Sequence, residues 1–71
     1  MDIISINDKV IIKNSDKLSG MRLKDLIGRT GIITDDLTSQ SRSNKGYMVS
    51  LDIDYMGEEY WFVPLESIKK L

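Results

Sequence analysis

Apolar and polar residues alternate most cleanly over 46–54, GYMVSLDID, where Tyr47, Val49, Leu51 and Ile53 interleave with Met48, Ser50, Asp52 and Asp54. A period of two sends successive side chains to opposite faces, so this stretch predicts a strand with one buried face and one wet face. Three more runs rich in β-branched or aromatic residues predict strands: DKVIIKN over 8–14, RTGIITDD over 29–36 and EEYWFV over 58–63. The Ser/Asn-rich run 37–45 between the second and third predicts a polar loop, and DYMG over 54–57 predicts a tight hairpin turn with Gly57 at positive φ. Pro64 cannot donate to a ladder, so it ends the fourth strand; PLESI over 64–68 then suits a single 3₁₀ turn before a short fifth strand at 68–71. The pattern as a whole is all-β.

Two stretches are less regular. Residues 15–24 are polar around Gly20 and predict a long irregular excursion anchored by Leu18, Met21 and Leu23. Leu23, Leu26 and Ile27 fall at i, i+3 and i+4, which permits a helical turn over 22–27. Ile4 and Ile6 keep the parity of Val10 and Ile12, so 1–6 are read as a flexible segment, an added strand or an apolar flap over one end of the sheet.

A chain of 71 residues makes one domain, 1–71. At this length folding buries only about 60% of the unfolded surface, and the core supplies on the order of 3–5 kcal/mol. With no cysteine and no histidine, the chain lacks thiolate chemistry, the commonest transition-metal ligands and the commonest general base. The expectation is a non-enzyme without cofactor or metal. No apolar run exceeds three residues, so no membrane span or signal-peptide core is expected and the default location is cytoplasmic. Ten basic and eleven acidic side chains nearly cancel, although residues up to Gly46 hold eight of the basic and six of the acidic ones.

DKVIIK, IGRTGII, GYMVSL and EYWFVPLESI, taken in order, resemble the small SH3-like barrels and in particular the KOW-type domains. Val10 and Ile12 match the first strand, Gly28, Gly31 and Ile32 match the Gly-x-x-Gly-apolar step, and Trp61, Val63, Pro64 and Ile68 match the closing strand and 3₁₀ turn. The resemblance implies a five-stranded SH3-like barrel over about 7–71, with a link to the nucleic-acid-binding proteins of translation and transcription. Gly28 then takes a conformation closed to residues with a Cβ, and Gly31 admits a close neighbouring strand. A phosphate-binding glycine loop is the competing reading, but no helix follows these glycines.

Three side-chain groups are candidates for function. Tyr55, Tyr60, Trp61 and Phe62 bring four of the five aromatics into eight residues. Tyr60 and Phe62 share one parity and Trp61 and Val63 the other, so one pair is exposed unless the first loop covers it. Tyr55, Tyr60 and Phe62 are the expected protein-binding anchors, because exposed aromatics on rigid strands mark interfaces. Lys9, Lys13, Arg29, Arg42 and Lys45, with Lys17, Arg22 and Lys24 nearby in sequence, are the alternative: a basic face for RNA or DNA. A third reading is an accessory subunit that buttresses a larger complex. Asp35, Asp36, Asp52, Asp54, Glu58 and Glu59 fit no calcium-loop spacing and are read as solvated strand ends and turns.

Overall fold

Where β-branched and aromatic residues concentrate, the chain pairs into strands. The computed structural model describes residues 3–71. Its elements are β1 (Lys9–Ile12), a short helix α1 (Asp16–Gly20), a 3₁₀ turn (Lys24–Leu26), β2 (Thr30–Leu37), β3 (Gly46–Tyr55), β4 (Glu58–Pro64), a second 3₁₀ turn (Leu65–Ser67) and β5 (Ile68–Lys70). The strands form one antiparallel sheet of five in the order β4-β3-β2-β1-β5.

The two edges of that sheet, β4 and β5, are consecutive in the chain and joined only by the second 3₁₀ turn. A flat sheet would hold its edges far apart, so the sheet must curl, as in a small β-barrel. Val63 of β4 and Ile68 of β5 accordingly meet in the same core, with Val10, Ile12, Ile33, Tyr47, Val49 and Leu51. Gly31 belongs to this curvature. A Cβ there would lie 2.7 Å from Val49 Cγ1 and 3.1 Å from the Leu51 Cα, so β2 and β3 close on each other only because the side chain is missing. Gly28 stands at φ 86°, the left-handed turn that feeds β2.

The excursion between β1 and β2 is more ordered than its sequence predicts. Ser15 caps α1, its Oγ accepting the Leu18 N–H at 3.2 Å, and Leu18 is fully buried. Five residues are too few to display a helical period, and tertiary packing of Leu18 supplies what propensity does not. The turn anticipated over 22–27 is the shorter Lys24–Leu26, preceded by Arg22 at φ 61° and followed by Ile27 in an extended conformation, and it buries Leu26.

At the N-terminus no strand is added among the described residues. Asp8 accepts the Ser5 N–H at 2.8 Å and Asn7 takes φ 76°, which bends the chain before β1. Ile4 packs on the core as a flap would, whereas Ile6 is exposed. Residues 1 and 2, part of the same 1–6 expectation, lie outside the described residues.

One predicted core position is wrong. Ile53 is 75% exposed although Leu51, of the same parity, is buried. The ladder between β3 and β4 runs from Gly46↔Pro64 to Ser50↔Tyr60 and resumes only at Tyr55↔Glu58, so Leu51 to Asp54 face Glu59 alone. In this bulge four residues opposite one break the period, so alternation no longer reports burial at Ile53, although Tyr55 beyond it packs against the core.

Candidate binding surface

Trp61 and Val63 are the inward pair of β4, which leaves Tyr60 and Phe62 outward. They pair across the ladder with Ser50 and Met48, so Met48, Ser50, Tyr60 and Phe62 form the outer face of the hairpin. Tyr60 is 55% exposed. Phe62 is half-buried because its ring lies over Gly46, diagonally across the strand pair; a Cβ on Gly46 would meet Phe62 Cζ at 2.8 Å.

Phe62, Pro64 and Met21 floor a depression of about 330 Å³ whose rim carries Lys17, Arg42 and Lys45. Three parts of the chain build it. α1 and the residue that caps its C-terminus supply Lys17 and Met21, spaced i and i+4, and β4 supplies Phe62 and Pro64. The loop after β2 supplies the rest. That loop is tied down locally: Asp36 Oδ1 accepts the Thr38 N–H at 3.0 Å, the Arg42 N–H donates to the Ser39 carbonyl at 3.0 Å, and Arg42 Nε donates to the Asn44 carbonyl at 3.2 Å. Lys45 is held at its backbone, where its carbonyl accepts the Leu65 N–H at 3.1 Å. Lys17 sits 3.6 Å from Glu66, and Arg42 and Lys45 have no ion-pair partner among the described residues.

Tyr55 does not join Tyr60 and Phe62. Its ring packs on Trp61 at 5.4 Å, its hydroxyl donates to Asp25 at 2.9 Å, and the Arg29 guanidinium lies 4.9 Å above the ring centre. Arg29 Nε also donates to the Asp25 carbonyl at 2.9 Å. The hydrogen bond to Asp25 raises the Tyr55 phenol above the ordinary tyrosine range, with desolvation adding to it. This cluster pins the 3₁₀ turn Lys24–Leu26 to the end of β3. Tyr47, inside the core, is raised by burial and by the nearby Asp36 charge.

The five basic residues of the nucleic-acid reading are dispersed. Lys9 pairs with Asp52, which also accepts from Thr30 at 2.5 Å, and these two hydrogen bonds hold the Asp52 carboxyl below the ordinary aspartate range. Arg29 is stacked on Tyr55, and Lys13 lies with Lys69 and Lys70 beside Leu65. Only Arg42 and Lys45 come together, and Lys17 joins them. The signal for that third cation was the Ser15-Asp16 cap, which would have put Lys17 and Met21 on one side of a helix. Among the described residues no cluster of three or more carboxylates is placed to hold a metal ion, and no helix is long and apolar enough to cross a membrane.

We find no match of this chain to a protein family, to a curated protein or to a solved structure.

Proposed function

We propose that this chain is a noncatalytic protein-binding module, an SH3-like barrel by architecture, that binds through the outer face of β3 and β4. The observation that carries the reading is Phe62, set with Pro64 and Met21 as an apolar floor beside the exposed Tyr60 and ringed by Lys17, Arg42 and Lys45. Aromatic anchors on rigid strands lose little conformational entropy on binding, and a polar rim excludes water around them. Tyr55 takes no part in this surface and holds the tip end of the hairpin against the first 3₁₀ turn. The KOW-like part of the resemblance favours a second reading, single-stranded RNA or DNA stacked on Phe62. Lys17, Arg42 and Lys45 favour it too, and the near-zero net charge together with the separation of Lys9, Lys13 and Arg29 from that group weighs against it.

The test uses immobilised protein and the surface variants Tyr60→Ala and Phe62→Ala. Both variants are expected to stay folded by circular dichroism while losing partners that the parent chain captures. Unfolding of both, or unchanged capture by both, overturns the reading. Titration with oligouridylate at low and high salt decides the second reading, since phosphate contacts weaken steeply with salt.

A further inference from the structure

The β3-β4 hairpin carries two chemically opposite ends. At one end lies the Phe62 depression with its cationic rim. At the other, past the bulge, Ile53 and Met56 are 75% and 79% exposed, among the most exposed large apolar side chains described. Asp54, Glu58 and Glu59 flank them in sequence, and none of these carboxylates has an ion-pair partner among the described residues, while Arg29 and the Lys9-paired Asp52 lie beside Ile53. Nothing in the fold needs those two apolar side chains outside: the turn requires positive φ at Met56 and Gly57, at 52° and 80°, and asparagine serves there better than methionine.

We propose that the acidic, apolar hairpin tip of one copy docks into the cationic, apolar depression of a second copy. The proposal rests on the reading of the Phe62 surface as a protein-binding site, and it names the partner. Complementarity is twofold. Met56 and Ile53 offer unbranched and branched aliphatic groups to Phe62 and Met21, which the buried Pro64 backs, while Asp54 and Glu58 face Arg42 and Lys45. The tip cannot reach the depression of its own chain, because the extended strand from Met56 to Phe62 holds them on the order of 20 Å apart at about 3.3 Å per residue. The contact is therefore head-to-tail, and such a contact repeats from copy to copy unless it closes into a ring. A hairpin tip in a shallow depression falls below the size of a stable interface, about 1,200 Å² in total, so the association is weak and reversible.

Sedimentation velocity on the full chain, from about 10 μM to about 1 mM, reads the association over the range where such interfaces assemble. The expected result is a mass that rises with concentration and falls back as salt rises, since the rim charges are screened within about 8 Å at physiological ionic strength. Two variants separate the halves. Arg42→Glu with Lys45→Glu disables the depression and leaves the tip; Ile53→Lys with Met56→Asn disables the tip and leaves the depression. Each is expected to stay monomeric alone, and an equimolar mixture is expected to form a one-to-one dimer and nothing larger. A parent chain that stays monomeric throughout, or a mixture that stays monomeric, overturns the proposal. Association that survives the tip variant and is lost in Phe62→Ala also overturns it, but leaves the Phe62 surface standing as a protein-binding site. Association that survives both overturns the proposal and leaves the Phe62 surface to be decided by the capture experiment with Tyr60→Ala and Phe62→Ala.

Discussion

Replacing Gly46 with alanine tests how the floor of the depression is held. Gly46 sits opposite Pro64 on the outer face, and an added Cβ would meet two neighbours. One is the Phe62 ring, 2.8 Å away at Cζ and 3.0 Å at Cε1, which can swing aside. The other is the Val63 carbonyl oxygen, closer still and fixed by the ladder. Overpacking of this kind costs about 1–3 kcal/mol, and the lower unfolded-state entropy of alanine offsets about 0.4–1 kcal/mol of it. A net loss of about 1–2 kcal/mol lowers Tm by roughly 5–15 °C in a domain of this size. Because the core supplies on the order of 3–5 kcal/mol, the variant remains folded at room temperature. Thermal and urea unfolding can be followed through Trp61, the single tryptophan, which packs on Tyr55. A second arm places the same change in a Phe62→Ala background, where only the carbonyl clash remains and the loss should be smaller. A Tm within about 2 °C of the parent's would mean that β3 and β4 part without cost, and would refute the close approach.

Ser15→Ala should destabilise by about 1–2 kcal/mol, since it removes the cap of α1 and the 2.6 Å hydrogen bond to Ser67, a buried hydroxyl left unpaired; urea midpoints measure it. Asp52 has its folded-state pKa lowered by Lys9 and Thr30, so its contribution to stability is complete above the ordinary aspartate range and drains away as pH falls through the lower folded value. Asp52→Asn should flatten the acid limb of a Tm-against-pH curve, and an unchanged limb would contradict the assignment. Tyr55 has the opposite sign: its raised folded-state pKa gives stability that is complete below the ordinary tyrosine range and lost as pH rises through the folded value. Asp25→Asn should bring the ultraviolet titration of Tyr55 back toward that range.

Alternation located β3, runs of β-branched and aromatic residues located β1, β2 and β4, and Pro64 with the 3₁₀ turn after it located β5. Alternation also showed that Tyr60 and Phe62 oppose Trp61 and Val63. Which pair turned inward depended on the ladder, where Tyr47 and Val49 stand opposite Val63 and Trp61 and share their face. Ile53 was misread for a physical reason: parity fixes which residues share a face, but not where a bulge interrupts the ladder. α1 was missed because five residues around one buried leucine carry no period, and with it went the grouping of Lys17 and Met21 under Phe62. The basic residues scattered because strand parity is blind to partners such as Asp52 and the Tyr55 ring, which arrive from distant parts of the chain.

The pairing of β1 with β5 has a consequence for how the chain is made. Val10 meets Lys70, Ile12 meets Ile68, and the Leu71 N–H donates to the Lys9 carbonyl at 3.0 Å. One side of the first strand pairs early with β2, but the other stays open until β5 has been made. A nascent chain stalled before Ile68 therefore leaves that edge of β1, with Val10 and Ile12, open to chaperones and proteases. The same pairing puts the first and last strands of the fold side by side, the arrangement in which a small fold can be spliced into a surface loop of a host protein without pulling that loop apart.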